Sequence, residues 1–132
     1  MHEWALAESV ILTVSQIAEE EGLKEVRNVQ LRLGELQQVD KKILKFALSQ
    51  MRSGKLRNAK FTIRTVKAKF MCRSCNHKWF LREVKVKDEI RESIHFIPEV
   101  AYAYLRCPKC GSPDFEILRG RGLWIMGIKG VK

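Results

Sequence analysis

The chain has 132 residues, 45% of them hydrophobic and 30% charged, which describes one soluble globular domain or a domain with a small insert. No apolar run approaches the length of a bilayer crossing, and Glu3 and Glu8 stand where a signal peptide would need a basic start and an apolar core, so a cytoplasmic protein is expected. The formal charge of +10 is uneven: residues 1–40 carry three basic and eight acidic residues, and residues 41–132 carry 22 basic and seven acidic.

Met1-His2-Glu3 opens the chain with a ready chelator. The α-amine, the deprotonated amide nitrogen of His2 and its imidazole can close fused five- and six-membered rings on one ion. Three coplanar nitrogens favour square-planar Ni(II) or Cu(II) and leave a corner for an exchangeable ligand. A bulky His2 predicts that Met1 is retained. A plain solvent-facing histidine is the competing reading.

From Glu3 to about Gly22, Trp4, Ala7, Val10, Ile11, Val14, Ile17 and Ala18 recur at helical steps, and Gly22 stops the helix. Residues 26–34 read as a strand in which Val29, Leu31 and Leu33 alternate with Gln30 and Arg32. Gly34-Glu35 turns the chain. Asp40 is the expected N-cap of a second helix, Lys41 to about Ser53, with Ile43, Leu44, Ala47, Leu48 and Met51 on its apolar face and Gly54 beyond its end. Residues 59–70 predict a second strand, with Phe61 and Ile63 on one side.

That strand runs into Cys72-Arg73-Ser74-Cys75, and 31 residues later comes Cys107-Pro108-Lys109-Cys110. Each C-x-x-C turn aims two thiolates at one ion, and Asn76 and Gly111 supply the left-handed position that such turns need. Disulfides, a redox dithiol and a single iron compete with zinc. Structural zinc fits the paired spacing best, and four protein ligands leave no open position for catalysis. Trp79, Phe80 and Leu81 are expected to pack over the metal, while His77 is read as a surface or supporting residue. Residues 84–106 read as a charged piece, an irregular segment around Ser93–Glu99 that holds His95, and an apolar run to Leu105. Gly120-Arg121-Gly122 is expected to make a hairpin turn between two last strands, Leu123–Ile128 returning to the first sheet.

The fold expected is therefore α+β. Two helices pack on a small mixed β-sheet formed by residues 1–69 and 119–132, and residues 70–118 form an inserted β-rich four-cysteine zinc module. No Walker loop, serine elbow or carboxylate pair with a supporting histidine is present, so no enzyme is expected. The basic part, with Lys67, Lys69, Arg73, Lys78, Arg82, Lys85 and Lys87 around the first knuckle, suits an acidic protein partner or nucleic acid, and equally a merely solvated surface.

Met1-His2-Glu3, Leu33-Gly34-Glu35-Leu36 and the two C-x-x-C pairs, in that order over essentially the whole chain, resemble the HypA family of nickel metallochaperones for hydrogenase maturation. The long spacer between the pairs resembles the archaeal branch, whose insertion carries a histidine matching His95. The resemblance implies nickel at Met1, His2 and Glu3, with His95 as a possible accessory ligand, and zinc at Cys72, Cys75, Cys107 and Cys110. It also implies delivery of nickel to the hydrogenase large-subunit precursor, with a HypB-type GTPase as partner; some members also serve urease assembly. A zinc-ribbon nucleic-acid-binding protein is the alternative from another class; it leaves Met1-His2-Glu3 unexplained, so neither nucleic acid nor membrane is expected as a partner.

Overall fold

Apolar spacing becomes buried surface in α1, Glu3–Glu20, where Ala7, Val10, Ile11, Val14 and Ala18 are buried. Its end is a Schellman cap. Gly22 takes φ +68°, its N–H reaches the Glu19 carbonyl at 3.2 Å, and Leu23 N–H reaches the Ala18 carbonyl at 2.9 Å. This computed structural model describes residues 3–37 and 39–132, apart from the side chains of residues 95, 96 and 98.

The strand β1, Glu25–Gly34, buries Val29, Leu31 and Leu33 in alternation. Helix α2, Lys41–Met51, starts at Asp40, whose Oδ1 accepts the N–H groups of Lys42 (2.9 Å) and Ile43 (3.1 Å). Leu44, Ala47 and Leu48 are its buried face. The remaining elements are β2 (Lys60–Val66), β3 (Lys69–Cys72), β4 (Lys78–Phe80), α3 (Asp88–Phe96), α4 (Ala101–Tyr104), β5 (Phe115–Arg119) and β6 (Leu123–Val131). They build two three-stranded sheets, ordered β2-β1-β6 and β4-β3-β5. The last strand thus joins the first sheet, as expected. The mixed α and β elements and small sheets agree with the fold class read from sequence.

Two compact units result. One comprises residues 1–32, 39–64 and 124–132; the other comprises 33–38 and 65–123. The first holds α1 and α2 packed on each other. The second holds the cysteines, a core of Phe70, Trp79, Leu81, Ile94, Ala101, Leu105 and Phe115, and the antiparallel pairs β3–β4 and β3–β5.

Three local expectations are corrected. The strand expected over 59–70 is two strands, because Ala68 gives its N–H to the Glu35 carboxylate at 2.8 Å. Residues 84–106 are largely helical, with Ile90 and Ile94 one helical turn apart and turned into the core. Gly120-Arg121-Gly122 is no hairpin turn, since β5 and β6 belong to different sheets.

The glycines there serve close approach instead. Leu36 N–H bonds the Gly120 carbonyl (2.9 Å) and Gly34 N–H bonds the Gly122 carbonyl (2.8 Å). A Cβ on Gly120, at φ +108°, would lie 2.5 Å from the Ala68 Cα, and one on Gly34 would overlap the Gly120 carbonyl. Leu33–Gln38 therefore belongs with the cysteine unit through its backbone, and Leu36 is fully buried in that unit's core.

Two outcomes follow for stability in urea. Gly120→Ala should cost on the order of 3 kcal/mol or more, because strain and backbone overlap add. Asp40→Ala should cost about 1 kcal/mol, the usual loss for one N-cap. A Gly120→Ala midpoint equal to wild type would show that the segment has room to relax.

Candidate metal centre

The two knuckles repeat one hydrogen-bond scheme. Cys72 closes β3; its N–H donates to the His77 carbonyl (2.8 Å), and Asn76 N–H donates back to the Cys72 carbonyl (2.9 Å). Cys107 N–H donates to the Ser112 carbonyl (2.9 Å), and Gly111 N–H to the Cys107 carbonyl (2.8 Å). Asn76 and Gly111 hold φ at +62° and +75°. Both are the left-handed positions that the sequence marked.

Cross-links join the knuckles. Arg73, inside the first, donates through Nη1 to Asp114 Oδ1 (2.9 Å) and to the Phe115 carbonyl (3.1 Å), beyond the second. The Asp114 carboxylate raises the pKa of this guanidinium. The hydroxyls of Ser74 and Ser112 meet at 3.1 Å. Below them Phe70, Trp79 and Phe115 stand 5.5 Å apart in pairs, and Tyr102 stacks on Phe115 at 5.0 Å. His77 lies parallel to the Trp79 ring, 6.1 Å away, and is outside the sulfur cluster.

The sulfur atoms of Cys72, Cys75, Cys107 and Cys110 all lie within 4.8 Å of one another. Cys72 Sγ is 3.5 Å from Cys110 Sγ, and Cys75 Sγ is 3.7 Å from Cys107 Sγ. A tetrahedron with metal–sulfur bonds of about 2.3 Å has edges of about 3.8 Å, so these separations fit four thiolates around one ion. They are too long for disulfides, whose bond is about 2.05 Å, and all four cysteines are free.

Burial opposes ionisation of Cys72, but the N–H groups of Cys75 and Ser74 outweigh it and hold the thiol down at about 6. Cys107 is likewise lowered against burial by the Cys110 and Lys109 N–H groups. Cys110 is pushed the other way, to about 12: the Ser112 N–H favours its thiolate, but the nearby Cys72 sulfur and burial prevail. The knuckles thus favour thiolates at Cys72 and Cys107 and oppose one at Cys110, and a cation among the sulfurs would favour all four. Among the described residues this is the one cluster of three or more His, Cys, Asp or Glu side chains with metal-binding geometry.

Met1 and His2 lie outside the described residues. Glu3 opens α1, and its Oε1 accepts the Asp40 N–H at 3.0 Å. That bond is the main reason its carboxyl lies below the ordinary carboxylate range. The backbone of His95 is in the last turn of α3, not in an irregular segment. Sequence reasoning did not foresee the structural work of Glu35 and Leu36; a leucine two residues after a turn glycine was the available signal.

Residues 1–130 match a family model described as hydrogenase/urease nickel incorporation, metallochaperone, hypA. The hydrogenase maturation factors HypA of Thermococcus gammatolerans and Pyrococcus furiosus are each 50% identical over 131 residues, 97% of this chain and 94% of theirs. The solution structure of the nickel metallochaperone HypA from Helicobacter pylori shares the fold, with a TM-score of 0.65 at 21% identity, over 99% of this chain and 98% of that one. A match of this length and closeness, over a chain that assembles a four-cysteine metal site, places the protein in the HypA family of nickel metallochaperones and hydrogenase maturation factors.

Proposed function

We propose that this protein binds Ni(II) at Met1-His2-Glu3 and delivers it to the large-subunit precursor of a nickel–iron hydrogenase, aided by a HypB-type GTPase, in the cytoplasm. The observation that carries the reading is the family match across residues 1–130, which includes that terminus. Nickel is cargo here. The Met1 amine, the His2 amide and the His2 imidazole form the chelate, with Glu3 beside it and His95 as an accessory imidazole.

The start of α1 at Glu3 supports this assignment. The first N–H groups of a helix have no acceptor within it, so an amide there is free to lose its proton. The positive end of the helix favours loss of protons from amide and amine, yet repels the dication. Both effects suit a carrier that must load near neutral pH and still let go. No described helix is long and apolar enough to cross a membrane.

Zinc is the ion proposed for the four thiolates, as scaffold. The closed sulfur set leaves it no vacancy for exchange or catalysis, so the cysteine unit acts as a structural zinc module and the other unit as the nickel-binding part. The nucleic-acid alternative loses its main support once charge is assigned by folded unit. The cysteine unit has 12 basic and eight acidic residues, a balance of only +4, while the other unit carries +6.

Untagged, zinc-loaded protein should take up one nickel with a square-planar d–d absorption band. His2→Ala should weaken that binding by more than about 100-fold, beyond what loss of an outer partner costs a metal site. An N-terminal extension should weaken it as well, and binding should decline as pH falls through the amine's range of about 7.7–8.0. Equal binding by all three forms would reject the terminal chelate.

Zinc removal tests the second site. A chelator should shift Trp79 emission to the red, read in a Trp4→Phe/Trp124→Phe background in which this buried indole is the sole reporter. Acid should release the ion, because each bound thiolate must regain a proton. Below about pH 6 protonation of Cys72 adds to the loss. Unchanged emission after complete zinc removal would deny the ion a structural part.

A further inference from the structure

In the cysteine unit, three cations converge on one half-buried ring. Lys69 Nζ lies 5.3 Å from the Phe80 ring centroid, Arg82 Cζ 4.9 Å and Arg119 Cζ 5.9 Å. They come from two strands and the turn after β4: Lys69 on β3 stands opposite both Phe80 on β4 and Arg119 on β5, and Arg82 lies in the turn.

Lys69 and Arg119 are thus like charges directly opposite each other, a pairing that destabilises a sheet. The alignment is made by an irregularity. From Cys72 to Phe70 the partners on β5 run Phe115, Glu116, Ile117, and regular continuation would set Leu118 opposite Lys69. The ladder shifts there and brings Arg119 into place, as a bulge re-aims a side chain.

Among the described residues, none of the three cations stands in an ion pair; the pairs there are Lys55–Glu19, Arg73 with Asp114 and Glu116, and Arg121–Glu99. Glu83, the nearest acid in sequence, uses its Oε2 to accept the Phe80 N–H at 2.5 Å. The ring draws the cations together through its negative face, and the charges remain open to solvent at Arg82 and Arg119.

We propose that Lys69, Arg82 and Arg119, gathered on Phe80, form a docking site for a carboxylate-rich segment of a partner protein. Arginine forks and a lysine on neighbouring strands match clustered Asp or Glu side chains. The geometry disfavours nucleic acid. A single-strand binder needs an aromatic face free for stacking and a groove that follows the backbone. Here the ring is half-buried and surrounded by cations, and the row spans only two interstrand spacings, about 10 Å. The site involves no metal ligand and needs no nickel, so it stands apart from the delivery reading above.

The test is anisotropy of a fluorescein-labelled hexaglutamate peptide with zinc-loaded full-length protein, at about 50 mM and about 500 mM salt. Binding is expected at low salt and should fade at high salt. Lys69→Gln/Arg119→Gln should weaken it about tenfold or more, and Phe80→Leu should weaken it too. Lys41→Gln/Lys45→Gln on α2 removes equal charge elsewhere and should change it less than about threefold. The patch variant should unfold no earlier than wild type, since it removes a like-charge pair. No peptide binding at low salt, equal losses in both double variants, or an early-melting patch variant would each overturn the proposal. So would tighter binding of an oligothymidylate that depends on the same three cations.

Discussion

Four cysteine sulfurs within 4.8 Å of one another are the constraint on which the cysteine unit depends. As thiolates they would repel one another: backbone N–H groups favour ionisation of Cys72 and Cys107, while the neighbouring sulfurs and burial raise the pKa of Cys110. A cation among them would favour all four thiolates. Sulfurs of different knuckles meet closely, Cys72 with Cys110 at 3.5 Å and Cys75 with Cys107 at 3.7 Å, so both turns are needed to define the cage. An ion held by all four would close the long loop between them, which α3 and α4 occupy. Ile94, Ala101 and Leu105 then have a fixed floor of Phe70, Trp79 and Phe115 to pack against.

The same unit draws Leu33–Gln38 to itself by a different force. Two glycines let backbones approach where any side chain would collide, and the bonds of Leu36 to Gly120 and of Gly34 to Gly122 follow from that proximity. Glu35 adds its carboxylate to the Ala68 N–H, interrupting what would otherwise be one long strand. A short excursion of six residues thus brings a fully buried leucine into the unit's core.

Features governed by local chemistry were legible in the sequence. The helical stripe of α1, the Asp40 cap and the left-handed Asn76 and Gly111 each depend on a few neighbouring residues. The four-sulfur cage was legible because a C-x-x-C turn reports its own geometry. Features that depend on distant partners were not. Gly120-Arg121-Gly122 has hairpin composition, but its conformation answers to Ala68 and Gly34, 52 and 86 residues before Gly120 in the chain. The helix over Asp88–Phe96 was masked by its many charges, although Ile90 and Ile94 have the spacing of one buried face. The Lys69–Arg119 pairing depends on a register shift that no spacing announces.

Glu3 shows how the chelate proposed for the terminus and the fold beside it constrain each other. Its carboxylate already holds the Asp40 N–H, and Asp40 in turn caps α2. An exposed hydrogen bond of this kind contributes about 1 kcal/mol, so moving that oxygen to a metal costs little but is not free. In the proposed chelate the three nitrogens of Met1 and His2 carry the affinity, and the carboxylate tunes it against the fold. Such nitrogens bind copper more tightly than nickel. Specificity for nickel must then reside in supply and docking, which makes the protein's recognition surfaces as decisive for its cargo as the ligands themselves.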